Sequence, residues 1–156
     1  MPKIDVRSVL ERKGSGYPAP FHEIAKDRSR KALGDAAGLT QFGVNLLTLP
    51  PGAASSQRHW HSGEDEFVYI VSGEVTLVAD GGEKLLRAGD CAGFPMNDGD
   101  GHQLVNKSSG VAMCLEIGTR SSDDVCTYSD IDMRIDSRAG RYTHKDGTPY
   151  PERERS

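Results

Sequence analysis

The 156-residue chain has no apolar run near the roughly 18 residues that a membrane-spanning helix needs. Cysteine is scarce, with three residues at positions 91, 114 and 126. So small and odd a number argues against a disulfide framework and predicts reduced thiols, as in a cytoplasm. The first residues, MPKIDVRSVLERK, are too polar for a secretory signal, so a cytoplasmic location is expected. There is no basic surplus either: 19 Lys and Arg stand against 23 Asp and Glu. A nucleic-acid binder would show a clustered positive excess, so neither a nucleic acid nor a membrane is an expected partner. Apolar residues make up only 36% of the chain, which suits one domain with short extensions better than two domains. What is plentiful is glycine, 18 residues, beside 8 prolines. That balance favours strands and turns over long helices.

Along the chain, residues 1–40 read as an N-terminal arm. Val6, Val9 and Leu10 fit one helical turn or a short strand, and the prolines of Tyr17-Pro18-Ala19-Pro20-Phe21 favour an extended path. Lys26 to Lys31 holds four basic residues and reads as a solvated face. From Gln41 the pattern changes. Phe42 to Leu49 is strand-like and stops at Pro50-Pro51-Gly52, and further strand-like runs cover 66–72, 75–79, 83–87, 102–106 and 111–117. Short strands separated by Gly, Asp and Asn predict an all-β antiparallel sandwich or barrel. Beyond residue 119 the chain turns polar, with short strands expected at Val125–Tyr128 and Ile131–Ile135. Asp146-Gly147 suggests a type I′ hairpin turn, and 152–156 reads as a tail.

The chemistry concentrates in a few residues. In a strand, His59-Trp60-His61 aims two imidazoles to one side, roughly 7 Å apart, and Trp60 to the other. After the turn-like Ser62-Gly63-Glu64-Asp65, the next strand can return Glu66 beside them, and His102 lies on a separate strand. Three imidazoles and a carboxylate suit a divalent transition metal, and the ligand types alone do not choose among Mn, Fe, Co, Ni, Cu and Zn. A closed structural zinc site more often contains cysteine.

These residues resemble the two motifs of the cupin superfamily. The first reads Gly52, His59-Trp60-His61, Glu66 and Gly73; the second reads Gly89, Pro95, Gly99, His102 and Asn106. The gap before His59 is one residue longer than usual and that after Pro95 two residues longer, both at turns. The six-residue gap to Gly73 selects Glu66 from the run Glu64-Asp65-Glu66, with Asp65 as the alternative. The resemblance implies a jelly-roll barrel over 41–119, a C-terminal extension over 120–156 packing on it, and a metal held by His59, His61, Glu66 and His102. It also implies a small-molecule ligand and a homodimer. Gln57 shares the parity of the histidines, Asn45 alternates toward the same interior, and Arg58 stands at a rim; these three are the expected substrate-pocket residues. Cys114 and Cys126 read as inert thiols, His22 and His144 as unconnected to the site, and Asn106 as structural.

Leu33-Gly34-Asp35, Gly38 to Gly43, Arg58 to His61 and Asp146 to Tyr150 further resemble a group of single-domain bacterial cupins, some labelled sugar-phosphate isomerases. Three functions are therefore expected as alternatives. One is a metal-dependent isomerase of a small hydroxy-carbonyl compound, whose general base the sequence does not identify. The others are a non-haem iron dioxygenase and a non-enzymatic binding or sensor module.

Overall fold

The computed structural model describes residues 3–152. Its strands are β1 (Glu11–Lys13), β2 (Ser29–Ala32), β3 (Phe42–Leu49), β4 (His59–His61), β5 (Glu66–Ser72), β6 (Glu74–Ala79), β7 (Gly82–Arg87), β8 (Cys91–Phe94), β9 (Gln103–Val105), β10 (Ala112–Thr119), β11 (Val125–Tyr128), β12 (Arg134–Asp136) and β13 (Tyr142–Thr143). All pairings between them are antiparallel, and they form an all-β jelly roll of three sheets. A six-stranded sheet runs β1-β2-β3-β10-β5-β8; a four-stranded sheet runs β13-β12-β11-β4; a three-stranded sheet runs β7-β6-β9. Among the described residues no helix is long and apolar enough to cross a membrane.

The inward faces of β3, β5 and β10 explain where the core ends and the cavity begins. Ladder register places Leu47, Cys114 and Ile70 on one rung, Asn45, Glu116 and Val68 on the next, and Gly43, Gly118 and Glu66 on the third. Each strand thus changes from apolar to polar along the same face. At the apolar end, Leu47, Leu49, Ile70 and Cys114 pack with Val75 and Leu104 of the three-stranded sheet. Burying each large aliphatic side chain there contributes about 1.5–3 kcal/mol. At the polar end, the four-stranded sheet covers the same face and leaves a cavity. A second cluster, Tyr17, Ala25, Cys126, Tyr128 and Met133, joins the N-terminal segment to that sheet.

Two glycines are required by close approach. A Cβ at Gly73, which has φ of +74°, would lie 2.6 Å from the Val111 carbonyl oxygen, and one at Gly34 would lie 2.8 Å from the Val44 nitrogen. The first lets β5 turn tightly into β6. The second lets a single helical turn, α1 (Leu33–Ala36), press against β3.

Several local expectations change. The N-terminal segment supplies β1 and β2 to the largest sheet, while of the helical turn or strand expected near Val6 it is the turn that forms, as a 3-10 turn over Val6–Ser8. The expected strand at Ile131–Ile135 starts later, at Arg134, because Ile131 to Met133 make a turn that closes on Tyr128. The turn near Gly147 forms, but Gly147 alone takes positive φ (+95°), while Asp146 accepts the Thr148 N–H at 2.8 Å. It is therefore not a type I′ turn, which needs positive φ at both central residues. Phe67, Tyr69 and Val71 on the outer face of β5 are 39–44% exposed in the single chain. Of the expected tail, only residue 152 lies within the described residues.

Candidate metal centre and cavity

His59 and His102 come together through their backbones. His59 N–H donates to the His102 carbonyl at 3.1 Å, and His102 N–H returns a bond at 2.9 Å. His61 follows two residues along β4 on the same side. Glu66 opens β5, reached through the Ser62–Asp65 turn. The Nε2 atoms of His102, His59 and His61 lie 2.8, 3.4 and 3.5 Å from one atom, Glu66 Oε2. That oxygen is buried and has no well-aligned hydrogen bond. His59, Glu66 and His102 offer donor atoms within 4.8 Å of one another, and His61 borders the same carboxylate oxygen; such a set fits a divalent transition ion.

The outer ring atoms support the same reading. His61 Nδ1 donates to Asp124 Oδ2 at 2.6 Å, and His59 Nδ1 donates to the Gln57 carbonyl at 2.9 Å. Each bond fixes the tautomer that leaves Nε2 with a free lone pair. Asp124 is itself buried and also accepts the Gly63 N–H at 2.8 Å. The His102 ring is stacked on Phe94, centroids 3.6 Å apart.

Burial disfavours a charged His61, but the Cys126 thiol, Glu66 and Asp124 outweigh it and raise its pKa to about 10. Burial would raise the pKa of Glu66; the facing imidazoles overcome this and hold its carboxyl well below the usual carboxylate range. His102 is pushed down, chiefly by desolvation.

These groups open into a cavity of about 380 Å³ between the six- and four-stranded sheets. Asn45 lines it, as do Glu64, Glu116, Arg28, Arg30 and the tyrosines Tyr17, Tyr128 and Tyr142. Gln57 and Arg58 are not among its lining residues. The chain bends through 55–58 and becomes a strand only at His59, so the alternation that linked Gln57 to the histidines does not extend back to it. Gln57 Nε2 instead donates to the Phe21 carbonyl at 3.0 Å. Arg58 pairs with Asp80 and, at 2.9 Å, with Asp130. Within the acidic run, Glu64 reaches the cavity, whereas Asp65 caps the Met96 N–H at 2.8 Å. Asn106 is wholly buried and donates to the Leu49 and Gly110 carbonyls, which pins a turn.

Asp124 and Glu116 went unseen in the sequence, and Cys126 was read there only as an inert thiol. Asp124 and Cys126 sit more than sixty residues from His61, and only the pairing of β11 with β4 brings them beside it. Glu116 had one available signal, its position in alternation with Cys114 and Ala112.

A jelly roll with imidazoles and a carboxylate converging at its inner cavity defines a class of small-molecule-binding β-barrels. The comparisons place the chain within it. Residues 45–118 match the cupin domain model. A cupin-superfamily sugar phosphate isomerase from Silicibacter pomeroyi shares 46% identity and a TM-score of 0.91, over 96% of this chain and 97% of that one. An Acidithiobacillus ferrooxidans protein, to which sugar phosphate isomerase is assigned provisionally, shares 34% identity and a TM-score of 0.70, over 75% and 74% of the two chains. The polyketide cyclase RemF of Streptomyces resistomycificus, at 19% identity and a TM-score of 0.61 over 76% and 79%, is alike in fold alone. No curated protein matches. The chain belongs to the cupin superfamily.

Proposed function

We propose that this cupin is a metal-dependent isomerase of a small hydroxy-carbonyl compound, in the sugar-phosphate class named for its Silicibacter pomeroyi relative. The observation that carries the reading is the convergence of three Nε2 atoms on the buried Glu66 Oε2 at the wall of a polar cavity. His59, His61, His102 and Glu66 would hold the ion. Bound there, a divalent ion would act as a Lewis acid on a carbonyl and the adjacent hydroxyl.

An isomerisation also needs a group that takes a proton from the hydroxyl-bearing carbon and returns it to the neighbouring carbon, while the hydroxyl proton passes to the other oxygen. Two further carboxylates line the cavity. Both oxygens of Glu116 are engaged by Arg30, at 2.6 and 2.7 Å. Glu64 has Oε1 fixed by the Ser121 N–H at 2.8 Å, while its Oε2 lies 3.8 Å from His61 Nδ1 and takes no hydrogen bond among the described residues. Burial raises its pKa, toward the range in which a group both takes and gives a proton. Glu64 is therefore assigned the proton transfer. Asn45, which also lines the cavity, is assigned to substrate hydroxyl contact.

The test is an anaerobic assay of the Mn-, Fe- and Zn-loaded protein on a panel of aldose and ketose phosphates in deuterated water. Interconversion with deuterium entering the substrate carbon is expected. Glu64→Gln should lose about 10²–10⁴-fold in kcat with metal content unchanged. A strict need for ferrous iron and dioxygen would replace the isomerase with a dioxygenase. Metabolite binding without turnover would leave a sensor.

A further inference from the structure

Residues 28–31, at the start of β2, carry a split charge pattern. Arg30 lies within β2 and Arg28 immediately precedes it, and both line the cavity. Ser29 and Lys31 turn outward, Ser29 to Glu11 at 2.7 Å and Lys31 to the Val6 carbonyl at 3.0 Å. The basic run that reads as a solvated face is thus half interior.

The two arginines differ in their partners. Arg30 is neutralised by Glu116. Arg28 is only 7% exposed, and its guanidinium donates to the carbonyls of Gly14, at 3.1 Å, and Ser55. The Tyr17 ring lies against it, 5.9 Å from Cζ to centroid. Among the described residues Arg28 has no carboxylate partner. Burial and then the neighbouring Arg30 press its pKa down, and Tyr17 and Glu116 offset this only in part. A buried cation without a directly paired carboxylate is costly, and carbonyl dipoles do not cancel a full charge. An anion in the cavity would cancel it, and the planar guanidinium fork matches two oxygens of a phosphate or carboxylate.

We propose that Arg28, backed by Arg30, forms an anion-binding subsite in the same cavity as the His59, His61, Glu66 and His102 cluster, and that it takes the phosphate or carboxylate end of the substrate. The proposal rests on reading this cavity as a substrate site, but anion binding needs no turnover.

The experiment is calorimetric titration of the full chain, at low salt and neutral pH, with inorganic phosphate and separately with acetate. One anion is expected to bind per chain, and the tighter of the two identifies the substrate's charged end. Arg28→Met should weaken binding on the order of tenfold or more with metal content unchanged. Should that variant fail to fold, Arg28→Gln, which can still donate to the Ser55 carbonyl, should show the same loss. Arg138→Met removes an exposed arginine outside the cavity, paired with Asp123, and should leave the affinity within about twofold. Failure of both anions to bind the wild type at millimolar concentration overturns the subsite, as does unchanged affinity in the Arg28 variants. Either result stands whether or not sugar phosphates are turned over, so the subsite and the isomerase reading fail separately.

Discussion

Replacing Asp124 with asparagine tests how the second layer of residues prepares the metal centre. The side chains are nearly the same size, and asparagine's Oδ1 can still accept the Gly63 N–H that Asp124 accepts at 2.8 Å. Its amide nitrogen then faces His61 Nδ1, which must become an acceptor. The His61 proton moves to Nε2, the atom aimed at Glu66, and closes the lone pair a metal needs. Loss of such an orienting carboxylate typically costs about 10- to 100-fold in metal affinity, or about 1.4 to 2.7 kcal/mol. An opposing effect exists, because Asp124 also raises the pKa of His61 and so helps protons compete with the ion. Cys126 and Glu66 still raise it in the variant, so proton competition largely persists, and the closed lone pair lowers affinity. The assay is competition with a chromophoric chelator for Mn or Zn at fixed pH. Asp123→Asn is the control, since Asp123 is exposed and paired with Arg138. Affinity for Asp124→Asn within about threefold of the control would refute the orienting role.

Metal uptake should release protons. With its pKa near 10, His61 is protonated at neutral pH without an ion, so an ion must displace that proton. Affinity then falls as pH falls below that value, by about tenfold per unit from His61 alone and about 100-fold between pH 8 and pH 6; an affinity flat over that range contradicts the geometry. Thiol labelling should separate the cysteines. Cys91 is exposed, whereas burial pushes Cys114 up to about 12 and also raises Cys126, so a thiol reagent near pH 8 should modify Cys91 in the native chain and all three only after unfolding. In β5, Ile70→Ala should cost about 2–5 kcal/mol by urea unfolding, because Ile70 is fully buried. Val71→Ala on the outer face should cost less than about 1 kcal/mol, and equal losses would show the strand's register to be wrong.

The strands most legible in the sequence are those with one apolar face. The run at 66–72 became β5, and Phe42 to Leu49 became β3. The polar strands β1 and β2 were not legible. Arg28 and Arg30 alternate as a solvated strand would, and only the pairing of β2 with β3 turns Arg30 inward, while contacts with the Gly14 and Ser55 carbonyls hold Arg28. Gln57 was misplaced for a related reason: alternation holds within a strand, and the strand begins at His59. His59, His61, Glu66 and His102 stood out because local spacing carries the pattern that gathers them. Asp124 had no such signal, since its contact with His61 depends on how β11 docks on β4, which no local pattern encodes.

The most direct measurement is elemental analysis of the purified chain, before and after exposure to Mn, Fe, Ni and Zn, beside a His59→Ala, His102→Ala double variant. About one transition ion per chain, absent from the variant, is the expected result. A wild type that holds no ion and takes up none, or a double variant that holds as much, would contradict the metal centre.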